Sequence, residues 1–196
     1  GEYEVQSRIA LAGYDACHEL SACILAAVLG SGGTAEILVA GAGGGAREIV
    51  TAGALEPGWR FTAVDPSQPM LDLAAARVRE AGLDGRTEIV LGTVDDLPPG
   101  RRFDAATLIG VLHHLPGDDA KRAILQSLAD RLKPGAPLVL AGNRFAYADR
   151  PLLLQAWGER WRMHGAGPDE VRAKLGKILQ GADPPASEEA IADLLA

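Results

Sequence analysis

Apolar residues return every three or four positions from Tyr14 to Leu29 (YDACHELSACILAAVL), and the pattern stops at Gly30, which predicts a helix closed by glycine. A short apolar run follows at Glu36–Ala40 (EILVA), with a glycine cluster directly behind it, GAGGGA from Gly41 to Ala46. Helical spacing resumes over Arg47–Ala52 and again over Met70–Ala81, which Gly82 ends. Between and after these lie apolar runs at Trp59–Val64, Thr87–Leu91, Phe103–Ile109 and Pro137–Ala141, each bounded by Asp, Pro or Gly. Asp118–Leu132 is amphipathic, with acid at its start and Arg131 and Lys133 near its end, and Lys133-Pro134-Gly135 terminates it. Strands that alternate with helices and are apolar almost throughout predict a parallel sheet covered on both faces.

After Asn143 the rhythm changes. Two helical patterns fill Arg144 to Gly181, split at Gly165-Ala166-Gly167-Pro168, and Ser187-Glu188-Glu189 reads as the capped start of a last helix toward Leu195. No strand pattern follows it.

A chain of 196 residues with 47% hydrophobic and 23% charged residues has the composition of one globular domain. Its formal net charge of −7, with no Lys/Arg run, argues against nucleic acid or an anionic membrane as the main partner. The longest apolar run, Ala22–Leu29, is far below the roughly 20 residues that span a bilayer. Cys17 and Cys23, six positions apart in one helix, are turned well over a right angle from each other. They read as two small buried hydrophobes in a reducing, cytoplasmic setting. Gly1 is set aside as a processing remnant.

The chemistry concentrates at ILVAGAGGGAREIV, Ile37–Val50. Gly41 and Gly43 permit a turn and close backbone approach to a ligand, and Gly44 and Gly45 are expected to leave the next helix's first N–H groups free for an acceptor. GAGGGA also satisfies the dinucleotide pattern G-x-G-x-x-G/A, so a nicotinamide cofactor stays open at this point. Asp65 stands twenty-four residues after Gly41, at the tip of the second strand. A carboxylate there accepts both hydroxyls of a ribose, whichever nucleoside cofactor carries it, or caps the next helix.

Gly92 to Pro116, GTVDDLPPGRRFDAATLIGVLHHLP, separates the alternatives. With these motifs, Ile37 to Ala141 resembles a class I S-adenosylmethionine-dependent methyltransferase with the Rossmann-like α/β fold. ILVAGAGGG is similar to the family's first glycine motif, TAVDPSQPML to its ribose segment and GTVDDLP to its adenine loop. FDAATLIGVLHHLP is similar to strand four with its following loop, and Lys133-Pro134-Gly135 to the turn into strand five. The resemblance implies that Gly41, Ala42 and Gly43 lie under the methionine and ribose and that Asp65 holds the ribose hydroxyls. It places Pro66, Ser67 and Met70 along ribose and adenine, Thr93 and Val94 at the adenine edge, and Ile109 and Gly110 by the methionine and sulfonium. YEVQSRIALAGYD resembles the family's lid segment, which implies that Tyr14 covers the cofactor and Arg8 pairs with its carboxylate. Helix packing for Tyr14 and a surface place for Arg8 are the alternatives.

Two positions depart from the family pattern. Val39 stands where an acid usually orders the loop or reaches the cofactor amine, and Thr93 where an Asp usually meets the adenine amino group. Backbone carbonyls near Gly41 and Ile109 are then expected to hold the amine. His113 and His114, adjacent on a turn, are expected to point apart, and no Cys or Glu stands at ligand spacing, so no metal is expected. Each reads as loop structure or as a general base. Trp157, Arg160, Trp161 and His164 fall at spacings of three and four and are expected to share one helical face, the tryptophans packing it on the domain.

The expected organisation is one domain over residues 1–196: a helical lid at 1–33, a cofactor-binding core at 34–143, and a helical cover with a terminal helix at 144–196. The family's last two strands are not seen, so either the sequence is cut short of them or strand five is an apolar edge covered by a partner, a second copy or the terminal helix. The expected activity is methyl transfer from S-adenosylmethionine to a small molecule at O, N or C, releasing S-adenosylhomocysteine. A non-catalytic module binding the same cofactor and an NAD-dependent oxidoreductase are the alternatives.

Overall fold

The computed structural model describes residues 2–196; Gly1 lies outside the described residues. Along the chain run α1 (Glu2–Ala10), α2 (Tyr14–Leu29), β1 (Glu36–Ala40), α3 (Arg47–Leu55), β2 (Arg60–Asp65), α4 (Gln68–Glu80) and β3 (Thr87–Leu91). Then come β4 (Ala105–Ile109), α5 (Gly117–Arg131), β5 (Leu138–Ala141), α6 (Pro151–Met163), α7 (Pro168–Gly181) and α8 (Glu188–Leu195). Contacts divide them into two compact units: residues 14–109 with 126–141, and residues 2–13, 110–125 and 142–196.

The first unit holds a five-stranded parallel sheet in the order β3-β2-β1-β4-β5. The order reverses between β1 and β4, and in such sheets ligands bind beyond the carboxyl ends of the strands at that reversal. Strand register sets the core. Val39 lies opposite Ala63 on one side and Thr107 on the other. Ile37, Val39, Phe61, Ala63 and Ala105 pack with Leu25 of α2, Ile49 of α3 and Ala74 and Val78 of α4. Leu25 and Ile49 are 1% and 0% exposed, and burying each contributes about 1.5–3 kcal/mol. The alternate residues Leu38, Ala106 and Leu108 are also fully buried, as the continuous apolar runs require.

Local signals set most boundaries. Gly30, at φ +87°, closes α2 by donating its N–H to Ala26 O at 2.9 Å. Lys133-Pro134-Gly135-Ala136 forms a type II turn, with Gly135 at φ +75° and Ala136 N–H on Lys133 O at 3.0 Å. Ser187 caps α8 by accepting from Ala190 N–H at 3.1 Å. Strand β4 begins later than its apolar run predicts, because Asp104 exchanges hydrogen bonds with Glu36 through its side chain as well as its backbone, and Phe103 is left with a single bridge to Leu132. Arg86 closes the end of α3 by donating to the carbonyls of Gly53, Glu56, Pro57 and Trp59. Both cysteines are free, as their spacing led us to expect, but they are not buried hydrophobes: Cys23 is exposed and Cys17 only half-buried.

Candidate functional site

At the carboxyl edge of the sheet, the loop after β1 is tied to β2. Gly41, at φ +69°, and Ala42 donate their N–H groups to Val64 O at 2.9 and 3.3 Å. Gly43 donates to Asp65 Oδ2 at 3.0 Å, Gly44 to Met70 O at 3.3 Å and Gly45 to Gly43 O at 2.9 Å. The loop's donors are therefore committed to protein acceptors rather than free, as the glycines alone suggested. A phosphate needs such donors open, so this loop suits a ligand without one.

Asp65 is the acceptor the arrangement presents. Its carboxylate, 9% exposed at the tip of β2, takes N–H bonds from Gly43 and from Ser67, the latter at 2.8 Å. The Ser67 bond is a two-residue turn; the N-cap of α4 is Ser67 itself, so Asp65 does not cap that helix. A carboxylate has about four acceptor positions, so two remain for a diol. Gly43 is backed against the same groups: a Cβ there would stand 2.8 Å from Asp65 Oδ2 and 3.0 Å from Met70 Cβ. Pro66 is exposed, and Ser67 and Met70 are half-buried beside it.

Gly92 N–H donates to Asp65 O at 3.0 Å and brings the next segment alongside. Thr93 donates to Asp96 Oδ2 through both its N–H, at 2.7 Å, and its hydroxyl, at 2.9 Å, and these bonds hold the Asp96 carboxyl below its usual range. The Thr93 hydroxyl also accepts from the Asp96 backbone N–H, which leaves one lone pair for an amino donor. Val94, 4% exposed, is the first residue of a short 3₁₀ turn, so its N–H has no partner within that turn. Ile109 ends β4, and Gly110 follows at φ +72° with open space where a Cβ would stand. These residues have the chemistry that a ribose and an adenine edge require, and so fit S-adenosylmethionine.

Val39 is fully buried in the apolar cluster. It lines a void of about 10 Å³ together with His18, Glu48 and Thr107. The buried acid on this side of the loop thus comes from α3 and not from β1. Burial pushes the Glu48 carboxyl up to about 7, and burial with the nearby Arg47 charge lowers His18 to about 4. The two side chains stand 3.9 Å apart. Tyr14 packs edge-on against His18 with ring centroids 4.6 Å apart. Nothing in the local pattern of α2 or α3 marks this pair, since it forms only when the helices pack.

In the second unit, His113 and His114 do not point apart. They share a 3₁₀ turn and their rings touch, with centroids at 4.1 Å. Burial, reinforced by His114, lowers His113 to about 4, and burial lowers His114 as well. Both are neutral at neutral pH, and His113 is a weak base. Trp161 is buried, with Lys174 Nζ 4.2 Å from its ring centroid, and Trp157 meets Tyr147 edge-on at 5.5 Å. Arg160 donates to Arg8 O and Ile9 O, both at 2.7 Å, capping the end of α1. His164 falls past the end of α6 and is exposed, so it does not share that face. Arg8 pairs with Glu4 at 3.6 Å. Lys121, 1% exposed, satisfies all three of its donors on Leu115 O, Gly117 O and Asp183 Oδ2. Among the described residues there is no group of three or more metal-ligating side chains, and no single helix is long and apolar enough to cross a membrane.

Residues 38–138 match the methyltransferase domain family, a little over half of the chain. A Nostoc punctiforme protein named as an O-methyltransferase superposes with a TM-score of 0.62 at 15% identity, over 91% of this chain and 48% of its own. The 1,6-didemethyltoxoflavin-N1-methyltransferase of Burkholderia thailandensis, whose structure holds S-adenosylhomocysteine, is 31% identical. It superposes with a TM-score of 0.51 over 64% of this chain and 52% of its own. An O-methyltransferase family 2 protein of Planctomyces limnophilus gives a TM-score of 0.58 at 18% identity, over 82% of this chain and 42% of its own. The chain thus spans about half the length of these proteins. Fold, motif order and family match agree, and the chain belongs to the class I S-adenosylmethionine-dependent methyltransferases.

Proposed function

We propose that this chain binds S-adenosylmethionine at the carboxyl ends of β1, β2 and β4 and transfers its methyl group to an O, N or C atom of a small molecule. The observation that carries the reading is the glycine loop whose N–H groups are spent on Val64, Asp65 and Met70. It leaves the Asp65 carboxylate as the ligand acceptor and favours a ribose without phosphate over a dinucleotide.

When bound, the cofactor supplies an electrophilic methyl on sulfonium sulfur. The protein's part in such a displacement is to position and to exclude water. Asp65 holds the ribose hydroxyls, and Gly41, Ala42 and Gly43 let the backbone approach. Pro66, Ser67 and Met70 line the nucleoside, Thr93 and Val94 meet the adenine edge, and Ile109 and Gly110 border the methionine, with Tyr14 over it. His113 and His114, neutral at neutral pH, are the candidate proton acceptors, His113 the weaker base. A second copy covering the β5 edge completes the proposal and would show as a doubled mass in solution.

Calorimetric titration with S-adenosylhomocysteine and, separately, NAD tests the cofactor. Binding of the first at about micromolar affinity, near 8 kcal/mol, with none of the second, is expected. Binding of NAD alone would overturn the reading. Val39, buried where the family usually has an acid, favours a second reading, a non-catalytic module that binds the same cofactor. Methylated product from a panel of acceptors decides against it.

A further inference from the structure

The second unit contains a cavity of about 340 Å³. Three aromatic rings wall it, Phe145, Tyr147 and Trp157, with three arginines, Arg144, Arg150 and Arg160. The rest of the wall is alanine, leucine and Asn143, and no Asp or Glu contributes. In a chain of net charge −7 this gathers positive charge at one apolar hollow.

The charges are unequally spent. Arg144 is ion-paired with Glu188. Arg160 is held by the carbonyls of Arg8 and Ile9, which fix it without neutralising it. Arg150 has no carboxylate partner among the described residues, and its guanidinium lies over the Phe145 ring. The guanidinium carbons of Arg144 and Arg150 both stand 4.7 Å from the Phe145 ring centroid.

Phe145 itself is in the left-handed region, at φ +73°, which costs a non-glycine residue about 1–2 kcal/mol. Its N–H is pinned on Pro185 O at 2.8 Å. Strain held in this way collects at ligand sites. The Trp157 indole N–H is buried and meets no acceptor in the protein, although a buried donor normally finds one. The volume falls in the range of small-molecule pockets, about 300–1,000 Å³.

We propose that this cavity binds a flat aromatic carboxylate, with Phe145 and Trp157 as platform and Arg150 as the charge partner.

The test is calorimetric titration of the whole chain with 3-hydroxy-2-naphthoate and with its neutral carboxamide, with S-adenosylhomocysteine titrated in parallel. The acid is expected to bind at least about tenfold tighter than the amide, or ~1.4 kcal/mol. Arg150→Gln should cut that preference to under about threefold, ~0.7 kcal/mol, and Arg150→Lys should keep most of it. Neither should move the affinity for S-adenosylhomocysteine. Equal affinity for acid and amide, no binding of either, or full preference in Arg150→Gln overturns the proposal. Acid preference lost in Arg150→Gln, with or without S-adenosylhomocysteine binding, upholds the cavity's ligand.

Discussion

Replacing Asp65 by Ala removes one carboxylate that does two jobs. In the structure it accepts from Gly43 and Ser67 N–H at 3.0 and 2.8 Å, and in the proposed complex it also takes the ribose diol. Hydrogen bonds to a charged group contribute about 1.5–3 kcal/mol each. Losing two ribose contacts at the lower end is ~3 kcal/mol, a weakening of S-adenosylhomocysteine binding by about 150-fold. Asp65→Asn keeps one acceptor oxygen and should fall between, at about tenfold. The loop bonds are lost as well, so a weaker affinity could reflect only a loosened Gly43. Adenosine and 2′,3′-dideoxyadenosine separate the two effects. The wild-type chain should prefer adenosine, and Asp65→Ala should lose that preference whatever happens to the loop. Calorimetry on the four pairs is the assay. A loss of S-adenosylhomocysteine affinity under about threefold, ~0.7 kcal/mol, or an intact diol preference in Asp65→Ala, would refute the ribose assignment.

Gly43→Ala drives a methyl to within 2.8 Å of Asp65 Oδ2. It should weaken S-adenosylhomocysteine binding more than tenfold, ~1.4 kcal/mol, while urea melts show an overpacking loss of about 1–3 kcal/mol. Lys121→Met keeps the buried stem but removes three donated bonds, and should lower unfolding free energy by about 2–4 kcal/mol in urea titration; Asp183→Asn, at an exposed carboxylate, should lose less. Glu48 is held protonated by burial, with its pKa raised from 4.5 to about 7, so the folded chain binds a proton that the unfolded chain releases. That stability is complete below pH 4.5 and falls as pH rises through about 7. Melts of Glu48→Gln should therefore match the wild type near pH 5 and exceed it near pH 8 by on the order of 3 kcal/mol. His18, lowered from 6.5 to about 4, works in the opposite sense: its contribution is complete above pH 6.5 and is lost as pH falls through about 4, which His18→Phe should abolish in the same melts.

Wherever a boundary depends on neighbouring residues, it was legible in the chain. The helix Tyr14–Leu29 and the strands Glu36–Ala40 and Thr87–Leu91 stand where spacing and glycine put them. So does the turn at Lys133-Pro134-Gly135, since glycine at φ +75° after proline is a local requirement. The ordered motifs from the glycine loop to Asp65 and Thr93 carried the family for the same reason. They are short stretches whose backbone geometry and side-chain type are set within a few residues.

What tertiary structure alone decided lies between residues far apart. Helix α1 has little apolar periodicity, and nothing near Arg8 and Ile9 shows that Arg160, some 150 positions on, takes their carbonyls. The Glu48 carboxyl and the His18 ring become neighbours only through the packing of α2 on α3, and their neutral forms follow from the burial this imposes. Whether the glycine loop's donors were free or spent turned on where Asp65 and Met70 stood in space. The cavity of Phe145, Trp157 and Arg150 likewise depends on a left-handed phenylalanine pinned by Pro185 forty residues later. Periodicity and turn chemistry act over three or four residues, whereas desolvation and charge pairing depend on the folded surroundings, and those exist only once the whole chain has closed on itself.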